Sequence, residues 1–99
     1  MAKHAVQPHD AEAVATYLCD EVGLTHLRTR RRADLLVIES GPKDNPWPRA
    51  RLRRVGVHRW RLEMATHGGR WETTPFLAQR DELVMLLVES FGWTLAPAE

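Results

Sequence analysis

Two periodicities divide the chain. At the start, Ala11, Val14, Ala15, Leu18, Cys19 and Val22 recur at the spacing of one helical stripe. Asp10 suits the N-cap, Glu12 favours the first turn, and Gly23 stands where a terminating glycine belongs. From residue 25 the period falls to two. Thr25, Leu27 and Thr29 alternate with His26, Arg28 and Arg30, which predicts a first strand. A turn near 31–33 leads to a second strand over 34–40. Its Leu35-Leu36-Val37-Ile38 core is apolar on both parities, as in a strand covered on both faces.

Three prolines and a glycine make 41–48 a loop. A third strand is expected over 49–55, with Ala50 and Leu52 on one parity and Arg51 and Arg53 on the other. Residues 56–58 form a turn into a fourth strand, 59–66, with Trp60, Leu62 and Met64 inward and Arg59, Arg61 and Glu63 outward. His67-Gly68-Gly69 signals another hairpin, and a fifth strand over 70–74 places Trp71 and Thr73 inward before Pro75 ends the pairing. A second helix follows over 77–91. Leu83, Val84, Leu87, Val88 and Phe91 supply its apolar face, Asp81 and Glu82 favour its start, and Gly92 stops it. Trp93 and Leu95 are expected to fold back onto the core.

The predicted fold is therefore α+β: a two-layer sandwich with about five antiparallel strands and both helices on one face. Its order is α-β-β-β-β-β-α. A length of 99 residues fits one domain over 1–99, with short flexible ends near 1–8 and 96–99. No repeat or low-complexity segment divides it.

Charge changes the picture. Eleven of the 14 basic residues lie between Arg28 and Arg61, with only Asp34, Glu39 and Asp44 among them. A formal charge of +1 thus conceals a centre of +8 between acidic ends. Strand alternation converts this run into a face carrying His26, Arg28, Arg30, Arg51, Arg53, Arg59 and Arg61. Guanidinium groups bind carboxylates and phosphates through paired donors, so such a face suits an anionic partner. Glu39, Glu63 and Glu72 offer partial neutralisation, and the apolar second strand would give the face an apolar centre with a charged rim. Trp47, between Pro46 and Pro48, can serve either as a rigid aromatic anchor or as a lid over the sheet edge.

Other chemistry is weakly signalled. His4, His9, His26, His58 and His67 have no metal-ligand spacing, and the single Cys19, predicted buried, excludes an internal disulfide. A Cys19–His26 nucleophilic pair lacks an orienting acid, and a tight hairpin explains Gly68-Gly69 without a ligand. No phosphate-binding or dinucleotide fingerprint is present, so no cofactor and no small-molecule substrate are expected. The absence of a leader and of a long apolar run suggests a cytoplasmic protein with no membrane role. The order of helices and strands is similar to the topology of double-stranded-RNA-binding domains, but the last helix opens Ala78-Gln79-Arg80-Asp81-Glu82 rather than with lysines.

The sequence points first to a non-catalytic binding module or accessory subunit. Its Arg-bearing sheet face would engage an acidic protein surface or a second copy of the chain. A nucleic-acid binder contacting the phosphate backbone is the alternative. A small enzyme with a site assembled only in the fold ranks third.

Overall fold

The computed structural model describes residues 4–66 and 68–96. The first helix, α1 (Pro8–Thr16), begins earlier than the apolar stripe suggests. Its N-cap is Gln7, and Asp10 is the third helical residue, accepting the Gln7 N–H at 2.9 Å in a reciprocal capping box. A π-helical turn, Tyr17–Glu21, follows. The extra residue in that turn rotates what comes after it, so Val14 and Leu18 are fully buried while Cys19 and Val22 are half-buried. Gly23, at φ +87°, reverses the chain, and the Leu24 N–H returns to the Leu18 carbonyl at 2.8 Å.

Five strands then form one antiparallel sheet in sequence order: β1 (Arg28–Arg32), β2 (Leu35–Ser40), β3 (Trp47–Arg54), β4 (Trp60–Ala65) and β5 (Trp71–Ala78). Each strand pairs with its successor, which requires only short hairpins. The first hairpin turns at Ala33-Asp34, with Ala33 at φ +55°, and closes on the Arg32–Leu35 pair. The last helix is α2 (Arg80–Ser90), capped by Gln79 with Glu82 completing a second capping box. A short 3-10 turn, Gly92–Leu95, ends the described fold.

Both helices cover the same face of the sheet. Leu36, Ile38, Ala50, Leu52, Trp60 and Leu62 point toward them and pack with Val14, Leu18, Leu83, Val84 and Leu87. Leu95 folds back into this core as expected, and His26 Nε2–H donates a 2.6 Å hydrogen bond to the Leu95 carbonyl. His26 therefore secures the chain end and does not lie on the sheet face. Residues 5–8 are anchored: Val6 is buried and its N–H bonds the Ala33 carbonyl at 2.9 Å. Residues 1–3, 97–99 and the predicted turn position His67 lie outside the described residues.

Besides the Asp10 cap and His26, three further local expectations fail. Pairing continues past Pro75: the step from Arg61 to Glu63 on β4 spans Leu77 to Thr73 on β5. That irregularity accommodates a proline without an N–H on an edge strand, and it claims Leu77 and Ala78 for the sheet. Trp71 and Thr73 face away from the helices, since Thr73 lies opposite Glu63. Trp93 is 77% exposed rather than folded onto the core.

Candidate functional site

The sheet face away from the helices is built by strand parity. In register, one row reads Arg30, Val37, Arg51, Glu63 and Thr73, and the next Arg32, Leu35, Arg53, Arg61 and Leu77. Arg28 and Glu39 begin a third row. Four of the six predicted arginine positions, Arg28, Arg30, Arg51 and Arg53, share this face and are tied to buried carboxylates. Arg61 shares it without such a tie. Arg59 does not: it lies in the exposed 55–59 turn, where its carbonyl accepts the Val55 and Gly56 N–H groups at 2.9 and 3.1 Å.

Two glutamates organise the arginines. Glu39, 3% exposed, accepts from Arg28 Nε at 3.2 Å and Arg30 Nε at 3.0 Å. Glu63, 4% exposed, accepts from Arg51 Nε at 2.5 Å and Arg53 Nε at 3.2 Å. Arg53 also donates Nη1 to Asp34 at 3.2 Å. Burial would raise the Glu63 carboxyl, but the bonds and charges of Arg51 and Arg53 outweigh it and hold it below the usual carboxylate range. Arg53 is correspondingly raised: burial lowers it, and Glu63 with Asp34 more than compensates. Glu72, opposite Met64 on the other parity, takes no part.

The apolar centre of this face is covered within the chain, while Leu77 on the β5 edge is 43% exposed. Val37 is only 4% exposed although no helix lies over it; it sits in register between Arg30 and Arg51, and long arginine stems can shield an apolar neighbour of this kind. Arg51 also lies 4.2 Å from the Trp71 ring centroid, a cation–π contact that explains why this tryptophan tolerates the outer face. The apolar centre expected for a copy-to-copy contact is therefore closed. What stays open is charge. Arg28, Arg30, Arg32, Arg51, Arg53 and Arg61 stand against Asp34, Glu39 and Glu63, a difference of +3, and neither Arg32 nor Arg61 has a carboxylate partner among the described residues.

Trp47 opens β3 at the end of the sheet, opposite Ser40. It is 46% exposed, and its ring lies over Gly41, where an added Cβ would meet Cδ2 at 2.9 Å. The ring is thus both lid and exposed surface, at the same end as Arg28, whose Nη1 and Nη2 bond the Gly41 and Pro42 carbonyls at 2.6 and 3.2 Å.

Besides a mainly apolar hollow of about 290 Å³ between the helices, beside Val14, Tyr17 and Val84, two hollows lie elsewhere. One, about 200 Å³, is lined by His9, Asp10, Arg54, His58 and Arg80 among others. Its Asp10 is committed to structure. Burial would raise its carboxyl, but the Gln7 N–H and Arg80 Nη1, the latter at 2.6 Å, lower it overall. The other, about 600 Å³, is a groove beside Met64, Phe91 and Trp93. At its side Arg49 donates to Ser40 Oγ and to the Thr94 and Ala96 carbonyls, clamping the 3-10 turn. Neither brings a nucleophile within reach of a positioned base. Among the described residues no three His, Cys, Asp or Glu side chains gather as a metal site, and no helix is long and apolar enough to cross a membrane. No protein-family model, curated protein or solved structure matches this chain.

Sequence reasoning missed Asp34, Arg32 and Trp71 as members of the face. The sequence pattern places Asp34 at the start of the second strand, Arg32 in the turn before it, and Trp71 on the opposite parity.

Proposed function

We propose that this domain is a non-catalytic binding module that docks an acidic polypeptide on the sheet face its helices leave uncovered. The observation that carries this reading is the +3 excess on a face whose guanidinium groups are already positioned by Glu39 and Glu63. Pre-positioned donors lose less conformational freedom when a partner arrives. A second copy is a poorer occupant, because it would bring the same positive excess and Val37 offers no open apolar patch. Nucleic acid, whose phosphates the same guanidinium groups would bind, is the competing occupant that the test separates. A reducing, cytoplasmic setting suits the free Cys19 thiol.

The test is fluorescence anisotropy with a labelled twelve-residue glutamate-rich peptide, beside a single-stranded oligonucleotide of similar charge. Arg32→Glu and Arg61→Glu are the informative variants, since neither residue holds a carboxylate and both should fold. Binding should weaken with salt, and the double reversal should weaken it about tenfold or more, as for loss of charge complementarity. Unchanged peptide affinity in the double variant, or tighter binding of the oligonucleotide, overturns the reading.

A further inference from the structure

We propose that the acidic partner is taken up as an added β-strand along β1, which rests on the docking face proposed above. β1 is an edge of the sheet, and its five residues, Arg28-Thr29-Arg30-Arg31-Arg32, pair with β2 without a register shift. The two-residue hairpin closing on Arg32–Leu35 fixes which main-chain groups point outward. Arg28, Arg30 and Arg32 exchange hydrogen bonds with β2. Thr29 and Arg31 present their N–H and C=O groups to the open edge. At the turn end of this edge the Ala33 carbonyl accepts the Val6 N–H and Arg31 Nη1 donates to the Val6 carbonyl, so the segment before α1 borders the edge there and the open stretch is the main chain of Thr29 and Arg31. Among the described residues nothing bonds the Thr29 or Arg31 main chain on that side.

The opposite edge is a poor template. β5 contains Pro75, which has no N–H, and its pairing with β4 is irregular at that point. β1 carries no such interruption; its safeguard is charge alone. Antiparallel pairing of β1 with a second copy would set arginines beside arginines, an unfavourable cross-strand arrangement. The same charge selects a strand bearing carboxylates.

The arginines differ in what they have left to give. Arg28 is fully committed, with Nε on Glu39, Nη1 on the Gly41 carbonyl and Nη2 on the Pro42 carbonyl. Arg30 donates only Nε, leaving both terminal nitrogens, and Arg32 has no carboxylate. These two lie on one face at strand spacing. The matching ligand is therefore an extended segment with acidic residues at positions i and i+2, its acidic flank turning over the sheet toward Arg61. That residue is three strands away, about 14 Å at ordinary strand spacing.

The probe is the twelve-residue peptide of alternating glutamate and threonine, compared with its twin N-methylated at the residues whose N–H groups would face β1. Methylation leaves charge intact and the protein untouched. Strand addition predicts about a tenfold loss of affinity on methylation, the scale of two main-chain hydrogen bonds, and slowed hydrogen exchange at the Thr29 and Arg31 amides when the parent peptide binds. Thr29→Pro removes one edge N–H and also the Thr29 Oγ1 bond to the Ala11 carbonyl; it should reproduce part of that loss, whereas Thr29→Val, which removes only the latter, should bind as wild type. Equal affinities for the two peptides, with Arg32→Glu/Arg61→Glu still weakening both, would overturn strand addition while leaving the docking face standing. Absence of binding by either peptide overturns both.

Discussion

Glu63→Gln removes a negative charge from between two guanidinium groups while keeping the side chain's volume. Glu63 is 4% exposed and holds Arg51 and Arg53 at 2.5 and 3.2 Å. Removing one partner from a buried ion pair costs about 3–5 kcal/mol, because the remaining charge is stranded. Here the stranded groups are partly relieved. Their side chains retain 16% and 34% exposure, Arg53 keeps Asp34, and Arg51 keeps the Trp71 ring. The expected loss is therefore about 2–3 kcal/mol, against a total of about 5–15 kcal/mol for a domain of this size. The variant should fold, with a urea midpoint lowered by about 1–2 M and an unchanged slope.

Acid supplies a second signature of the same ion pair. The folded-state Glu63 carboxyl lies below its unfolded value, so its stabilisation is complete above the ordinary carboxyl range and is lost as pH falls through the folded value. The difference between wild type and variant should hold constant from about pH 7 to 5, then shrink in stronger acid. A stability difference below about 0.5 kcal/mol at neutral pH would refute the buried-pair reasoning, placing Glu63 with ordinary surface pairs.

Asp10→Asn should cost about 1–2 kcal/mol by weakening both the Gln7 capping box and the Arg80 tie, read by thermal unfolding. Because Asp10 is also lowered on balance, that cost should fade in acid as the wild-type carboxylate is protonated. Gly41→Ala meets both a positive φ and the Trp47 ring at 2.9 Å, so a loss of about 1–3 kcal/mol should accompany a shift in tryptophan emission; an unaltered spectrum would contradict the packing. Trp93→Phe should change stability by less than about 0.5 kcal/mol while removing the most acrylamide-accessible emission, whereas a large destabilisation would show that Trp93 is core.

Much of the fold was legible because the periodicities are clean. The alternation of Trp60, Leu62 and Met64 against Arg61 and Glu63 fixes β4 without reference to any neighbour. The two-sided burial of Leu36, Val37 and Ile38 is equally direct, although Val37 lies between Arg30 and Arg51 rather than under a second layer. Parity failed at Trp71 because the hairpin before it sets the Ala65–Trp71 pairing and so decides which side the residue takes. Such information lies in pairing geometry, not in a short window of hydrophobicity. The helix stripe failed at Cys19 and Val22 because one π turn offsets everything beyond it.

The candidate face was visible as a set of arginines but not as an organised surface. Which carboxylate meets which arginine depends on register. Once the two-residue turn at Ala33-Asp34 is known, Arg28 opposite Glu39 follows by counting; from composition alone it does not. The Arg51–Glu63 pair likewise needs the β3–β4 register. That organisation turns a basic run into three carboxylates holding arginines in place, with Arg32 and Arg61 left to act outward.

The most direct measurement is an NMR titration of the labelled domain with the alternating glutamate–threonine peptide at low salt, following backbone amides and arginine Nε signals together. Docking on the uncovered sheet face predicts saturable shifts along β1 and at the Nε groups of Arg30, Arg32 and Arg61, with α1 and α2 little affected. Shifts confined to the helices or the Trp93 groove, or none at saturating peptide, would contradict it.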